Sequence, residues 1–247
     1  MKALLHAELI KLRTTRTFAA LAGAAVSTSL LLAVLVSLLT EPTQKSVLLD
    51  VFASDTSSLF ILVLAVVGVS GEWRHRTIAG SLLAAPKRLH FLGAKTLAFA
   101  AAGLLLSIST YVAVAVVGFV ILSVRDLPLP QADELVELIA RGALIAALLG
   151  AFGVCLGALV RNQVVAIVGV LLLSFLLEPL LLGLAPEVGR FGPFVALPTA
   201  AIDVSAEAVG LGDANLVAPG VAVLLMLAWI AAAFAAGGAL LRRRDLE

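Results

Sequence analysis

Six stretches of the chain carry almost no charge for about twenty residues or more, and short polar segments separate them. They run over about 17–39, 53–71, 96–123, 141–160, 164–183 and 217–241. About 20 mostly apolar residues are what a helix needs to cross the hydrocarbon core of a bilayer. The runs are rich in Leu and Ala and do not alternate, so they predict helices and not barrel strands, which would alternate over about ten residues. Hydrocarbon cannot solvate a bare backbone, and a helix satisfies its own. The expected fold class is therefore an all-α integral membrane protein with six transmembrane helices, a single transmembrane domain over residues 1–247 with no soluble domain and no internal repeat.

Composition sharpens this reading. Of 247 residues, 62% are hydrophobic and 13% charged, and the mean hydropathy is +1.13. A soluble domain of this length needs more polar surface. The first run is longer than the roughly 7–15 residues of a signal-peptide core, so it is expected to be a retained span. The one cysteine, Cys155, lies in an apolar run and is expected to pack.

Net charge is only +1, but its distribution is lopsided. Six spans put both termini on one side. That side carries Lys2, Lys11, Arg13, Arg16, Arg74, Arg76, Lys87, Arg88, Lys95, Arg161, Arg242, Arg243 and Arg244, whereas the other carries Lys45, Arg125, Arg141 and Arg190. By the positive-inside rule both termini are expected in the cytoplasm, in the inner (plasma) membrane of a bacterial cell. The opposite side collects acids, among them Glu41, Asp50, Asp133 and Asp203, with Asp55 at the outer rim of the second span.

Several chemistries are absent from the sequence. It has no G-x-x-x-x-G-K-[ST] and no Gly-Lys dipeptide, hence no P-loop, and no H-E-x-x-H. His6, His75 and His90 lack metal-ligand spacing, and nothing points to nucleic acid. Gly68-Val69-Ser70-Gly71 has the form of an intramembrane serine-protease nucleophile, but a serine needs a base within reach and no span holds a histidine. Neither an enzymatic site nor a metal nor a cofactor of the chain's own is expected.

Three features remain as candidates. Glu178 is the acid placed within a span. It has either a role in a pathway or gate, the default for an intramembrane carboxylate, or that of an interfacial acid before Pro179. Gly153 and Gly157, spaced as G-x-x-x-G, are a candidate helix-packing face. Residues 185–216, with Pro186, Pro193 and Pro198, either re-enter the outer leaflet between spans five and six or form a surface loop.

The most informative segment is residues 71–95, GEWRHRTIAGSLLAAPKRLHFLGAK. Basic residues flank an uncharged stretch, 77–85, that Pro86 ends. Ile78, Leu82 and Ala85 share one helical face. The stretch reads either as a short helix at the membrane surface or as a basic loop on anionic headgroups. The order Glu72, Trp73, Arg74, Thr77, Ile78, then Leu82, Leu83, Pro86, Arg88, then Lys95 resembles the permease subunits of ABC-2 type exporters, which include bacitracin-resistance and sodium-export permeases. Arg76 stands where the family often has glycine. The resemblance extends to an N-terminal elbow helix over residues 1–16, with a Leu5, Leu9, Leu12 stripe, and to the terminal Arg242-Arg243-Arg244-Asp245. It implies that 77–85 is a coupling helix docking on a P-loop ATP-binding subunit, present in two copies. Ile78, Leu82 and Leu83 would make apolar contact there, and Glu72 and the arginines would orient it. It also implies a second permease chain, identical or homologous, with ATP and Mg held by the ATPase. The alternatives from the residues alone are a secondary transporter, which would need ionisable groups at mid-membrane, and a non-transporting scaffold or immunity protein.

Overall fold

The computed structural model describes residues 2–75, 77, 88–204 and 215–243. Over these the protein is helical throughout, and six of its helices are long and apolar enough to cross a membrane. A short helix, α1 (Lys2–Thr14), leads into α2 (Arg16–Leu39). A π-helical turn (Leu48–Phe52) precedes α3 (Ser57–Arg74), and α4 (Arg88–Val124) and α5 (Ala132–Leu159) follow. The fifth span is α6 (Gln163–Leu172), a π-helical stretch (Leu173–Leu177) and α7 (Glu178–Leu184) in sequence. Two short helices, α8 (Pro186–Gly189) and α9 (Ala196–Ala201), lead to the last span, α10 (Pro219–Arg243).

The middle of the bundle is α5. Its apolar stretch is 78% buried, against 44% or less in every other span. On one side α5 joins α3, α6, α9 and α10 in a core that includes Leu62, Phe152, Leu197 and Met226; on the other it joins α2, α3 and α4 around Ile61, Phe99, Ala146 and Val154. Glycine makes this placement feasible. A Cβ on Gly153 would stand 2.6 Å from the Leu62 carbonyl oxygen, and one on Gly157 would stand 2.8 Å from that of Val66, so backbone meets backbone between α5 and α3. The other flank repeats the device: a Cβ on Gly150 would lie 2.5 Å from the Phe99 carbonyl oxygen of α4, and Gly103 of α4 abuts the Ala146 backbone. Lipid tails are as apolar as leucine, so close van der Waals approach replaces hydrophobic burial as the adhesive.

The helix ends follow from local chemistry. The α2 carbonyls of Val36 and Ser37 accept from Thr40 Oγ1 and from Arg125 Nη1, which satisfies groups that a helix terminus leaves open. Asn162 caps α6, its Oδ1 accepting from Val164 and Val165 at 2.9 and 3.2 Å. The third span starts eight residues before the expected boundary because helix α4 begins at Arg88, ahead of the apolar run. At about 1.5 Å per residue it is about 55 Å long, well beyond a hydrocarbon core of roughly 30 Å. The second span is not one helix over 53–71. It breaks at residues 53–56 between the π-helical turn and α3, and α3 continues to Arg74.

The start of α1 and the end of α10 lie at one end of the bundle, called basal below. Leu4 of α1 and Leu241 of α10 meet there with Phe91 and Trp73. Arg88 Nη1 donates to the carbonyls of Leu241 and Arg242, fastening the foot of α4 to the last turn of α10. The α1 face differs from the expected stripe: Leu9 is 38% exposed, and the buried residue is Glu8, between Leu5 and Leu12.

Replacing Gly153 by leucine is expected to cost about 1–3 kcal/mol or more, the range for overpacking a filled interior. Gly169→Ala, where a Cβ meets nothing within 4 Å, is expected to be neutral. Melting temperatures of the two variants in one detergent check this.

Candidate functional site

Four charged side chains converge at the basal end from three helices. Glu8 and Lys11 sit one turn apart on α1, Glu72 lies in the last turn of α3, and Lys95 lies two turns into α4. Lys95 is the hub. Its ammonium donates to Glu8 Oε2 at 2.6 Å, to Glu72 Oε1 at 2.9 Å and to the Gly68 carbonyl at 3.4 Å, using all three of its donors. Its side chain is 3% exposed and lies 5.4 Å from the centre of the Phe91 ring. Lys11, half-exposed, bridges the same two acids, to Glu8 Oε1 at 2.8 Å and Glu72 Oε1 at 3.4 Å.

Charge balance explains why such a group is tolerated. An isolated buried ammonium costs several kcal/mol in desolvation. Among the described residues two cations face two carboxylates, so their charges balance. Burial pushes the Glu8 carboxyl up, but the adjacent Lys95 charge and the hydrogen bonds of Lys11 and Lys95 outweigh burial and hold it below its usual 4.5. Burial acts on Lys11 too, and its bonds to Glu8 and Glu72 outweigh it, so its ammonium titrates above 10.5.

The surroundings tie more of the chain to this point. The Trp73 ring carries the Arg161 guanidinium at 5.0 Å, and Arg74 donates to Gln163 Oε1 at 3.3 Å, so the end of α3 is fastened to the α5–α6 turn. A cavity of about 670 Å³ opens beside the cluster, with Glu8, Lys11, Glu72, Arg74 and Lys95 on its walls. Of the residues assigned to coupling, Glu72, Trp73, Arg74, Thr77 and Arg88 are described; Thr77 is exposed, and Ile78, Leu82, Leu83 and Pro86 lie outside the described residues. Ser70 is fully buried and its hydroxyl donates to the Val66 carbonyl at 2.7 Å, so it is not poised as a nucleophile.

Glu178 lies at the opposite end and is 5% exposed. Oε2 accepts the Phe194 amide at 2.9 Å, and Oε1 accepts those of Val195 and Ala196 at 2.8 Å each. Both oxygens thus hold the start of α9 through three backbone amides. Gly192 lies so close to the carboxyl that a Cβ would collide with it. The segment after the fifth span is drawn into the bundle, and Ala196, Leu197, Ala200 and Ala201 are buried on α5 and α10.

Asp55, expected at the outer rim of the second span, is half-buried. It occupies the break before α3, with Oδ1 accepting the Ser57 amide at 2.9 Å and Oδ2 accepting the hydroxyls of Ser57 at 2.8 Å and Ser107 at 3.0 Å. Next to it, Thr56 bonds through its amide and its hydroxyl to Ser29 Oγ, each at 2.9 Å. Among the described residues no cation pairs with Asp55. Among them, too, no group of three or more His, Cys, Asp or Glu side chains could hold a metal. No protein-family model matches the chain, and no curated protein matches it.

Two results are expected. Wild-type stability is full above about pH 4.5 and declines as pH falls through the lowered Glu8 value. Lys95→Met strips one partner from a buried ion group and costs about 3–5 kcal/mol at neutral pH. It also reduces the acid sensitivity, because Lys95 no longer lowers Glu8 and only Lys11 still does. Melting temperature against pH for both proteins checks the pair. Separately, Glu178→Ala leaves three amides without their acceptor and is expected to cost about 1–3 kcal/mol for each that stays buried; hydrogen exchange at Phe194, Val195 and Ala196 should accelerate while that of α5 does not.

Proposed function

We propose that this multi-pass membrane protein is the permease subunit of an ABC-2 type exporter, moving its substrate with ATP hydrolysed by a separate P-loop subunit. The observation that carries the reading is the meeting of Glu8, Glu72 and Lys95. Each comes from a different piece of the family resemblance, namely the elbow helix, the Glu-Trp-Arg string and the lysine opening the third span. They are separated by up to 87 residues in sequence, yet they share one buried ion group. A cluster joining α1, α3 and α4 on both flanks of residues 75–87 is suited to passing a push on that loop into three helices at once.

In this reading the basal end faces the cytoplasm, in keeping with its excess of lysine and arginine, and the protein resides in the bacterial inner membrane. Residues 77–85, of which only Thr77 is described, serve as the coupling element that docks on the ATPase. Two ATPase subunits bind below, holding ATP and Mg, and a second permease chain completes the pathway. The chain contributes binding and conformational change and no covalent chemistry. Glu178 serves the outer gate by holding the re-entrant segment.

One observation favours a second reading, a secondary transporter. Asp55 is an intramembrane carboxylate at a helix break, without a cationic partner among the described residues and with hydroxyls around it, which is the kind of place where such transporters bind a coupling ion.

Purification of the tagged chain in mild detergent, with mass spectrometry and an ATPase assay, separates the two. A P-loop ATPase is expected to co-purify, and to be lost with Leu82→Asp alone and with Glu72→Ala plus Leu82→Asp, while the permease stays monodisperse. A preparation without ATPase across several detergents and in nanodiscs would overturn the exporter reading and make Asp55→Asn the next variant.

A further inference from the structure

The described wall of the 670 Å³ basal cavity is graded along its length. Following α3 inward, it passes from Arg74 through Gly71 and Gly68 to Val67 and Leu64, about 15 Å along the helix at 1.5 Å per residue. At the basal end Arg74 Nη1 donates to Gln163 Oε1, and Thr17 and Thr77 share the wall. At the inner end Val67 and Leu64 join Phe18 of α2 and Phe99 of α4 in hydrocarbon. Gly71 leaves the middle open, since a Cβ there meets nothing within 4 Å. Val67, Gly68 and Gly71 are only half-buried, so the groove opens sideways to the surrounding bilayer. Charge on this wall is sorted too. Glu8 and Glu72 are both held by Lys95 and Lys11, which leaves Arg74 as the surplus charge among the described residues. Its guanidinium has five N–H donors, and Gln163 takes one of them.

We propose that this cavity is a binding groove for an anionic phospholipid of the basal leaflet. The lipid phosphate accepts from Arg74, the head hydroxyls bond to Thr17, Thr77 and Gln163, and an acyl chain passes over Gly71 along Val67, Leu64, Phe18 and Phe99. A basic pocket between membrane helices suits such headgroups. The head must carry no cation of its own. A choline or ethanolamine would lie among Lys11, Arg74 and Lys95 with both acids of the wall already engaged. Phosphatidylglycerol meets these terms, having a net negative charge and hydroxyls in place of an ammonium. Free phosphate has the charge but nothing to cover the hydrocarbon half of the groove. The proposal goes beyond the exporter reading and does not depend on it, since the groove is built from this chain.

The test uses the purified full-length chain, without any ATPase, in a neutral maltoside. Phosphatidylglycerol, phosphatidylethanolamine and phosphatidylcholine with identical acyl chains are added, bound lipid is counted by native mass spectrometry, and affinities are ranked by thermal shift. Phosphatidylglycerol is expected to be retained as a single molecule about fivefold tighter than the other two, the worth of one partly exposed ion pair. Arg74→Gln, which keeps a neutral donor in place, should erase that preference. Gly71→Leu should weaken phosphatidylglycerol about tenfold with the ion group intact, because its side chain fills the middle of the groove. This second variant carries the test if Arg74→Gln fails to fold. Equal affinity for the three lipids, an unchanged preference in a folded Arg74→Gln, or undiminished binding to a folded Gly71→Leu would overturn the proposal. Displacement of the lipid by inorganic phosphate at matched ionic strength would overturn it too, marking a bare anion site, as would a lipid-free dimer, marking a second copy of the chain as the occupant. As no ATPase is present, failure here leaves the coupling reading intact, and failure of the pull-down leaves this site intact.

Discussion

Everything in this bundle depends on how closely α5 can approach its neighbours. A helix gains little by leaving lipid for other apolar helices, so the contact must be tighter than lipid can make. Gly150, Gly153 and Gly157 put the α5 backbone directly against the carbonyls of α4 and α3. That choice fixes the rest. With α3, α4 and α5 held together at their backbones, the basal ends of α3 and α4 bring Glu72 and Lys95 within 2.9 Å, and α1 completes the charge balance. The outer elements then pack on a pillar already defined.

The polar groups lie where helical regularity ends. Asp55 and its hydroxyls occupy the break in the second span, Glu178 marks the exit from the π-helical stretch of the fifth, and the ion group gathers about the end of α3. The same physics acts at each. An interrupted helix frees amides, or brings charge toward hydrocarbon, and neither is tolerated without a partner. The amides after Gly192 find Glu178, the Ser57 amide finds Asp55, and Lys95 finds two carboxylates. Such joints are soft in one respect. They can exchange partners without opening an apolar core, and movement in a membrane bundle is expected to concentrate there.

Spans were legible because lipid imposes one length and one polarity on each of them, so composition over 20 residues suffices. Boundaries were less so, since a helix such as α4 continues past its apolar run wherever other protein supplies partners for its polar residues. The glycine spacing of 153 and 157 was visible; the partner helix was not, because nothing in α5 names α3. The ion group was not visible: Lys95 stands one residue before the expected third span, and its acids lie 23 and 87 positions away, beyond any local pattern. Glu8 was obscured by the neighbouring leucines, which suggested an apolar face turned one position from the real one. The break that holds Asp55 leaves no mark in hydropathy.

The length of α4 has a mechanical consequence. From its contact with α5 at Gly103, the helix extends 15 residues down to Arg88 and 21 up to Val124, about 22 Å and about 31 Å at 1.5 Å per residue. The close contacts with α5 run from Phe99 to Tyr111 around that point, and a rigid rod turning within them is a lever with unequal arms. A sideways displacement of 1 Å at its foot, where Arg88 and Lys95 are held, swings its head by about 1.4 Å in the opposite direction. The fold therefore contains a geometric amplifier, small in gain and inverting in sense, whose input lies among the charges and whose output lies at the far face of the bilayer.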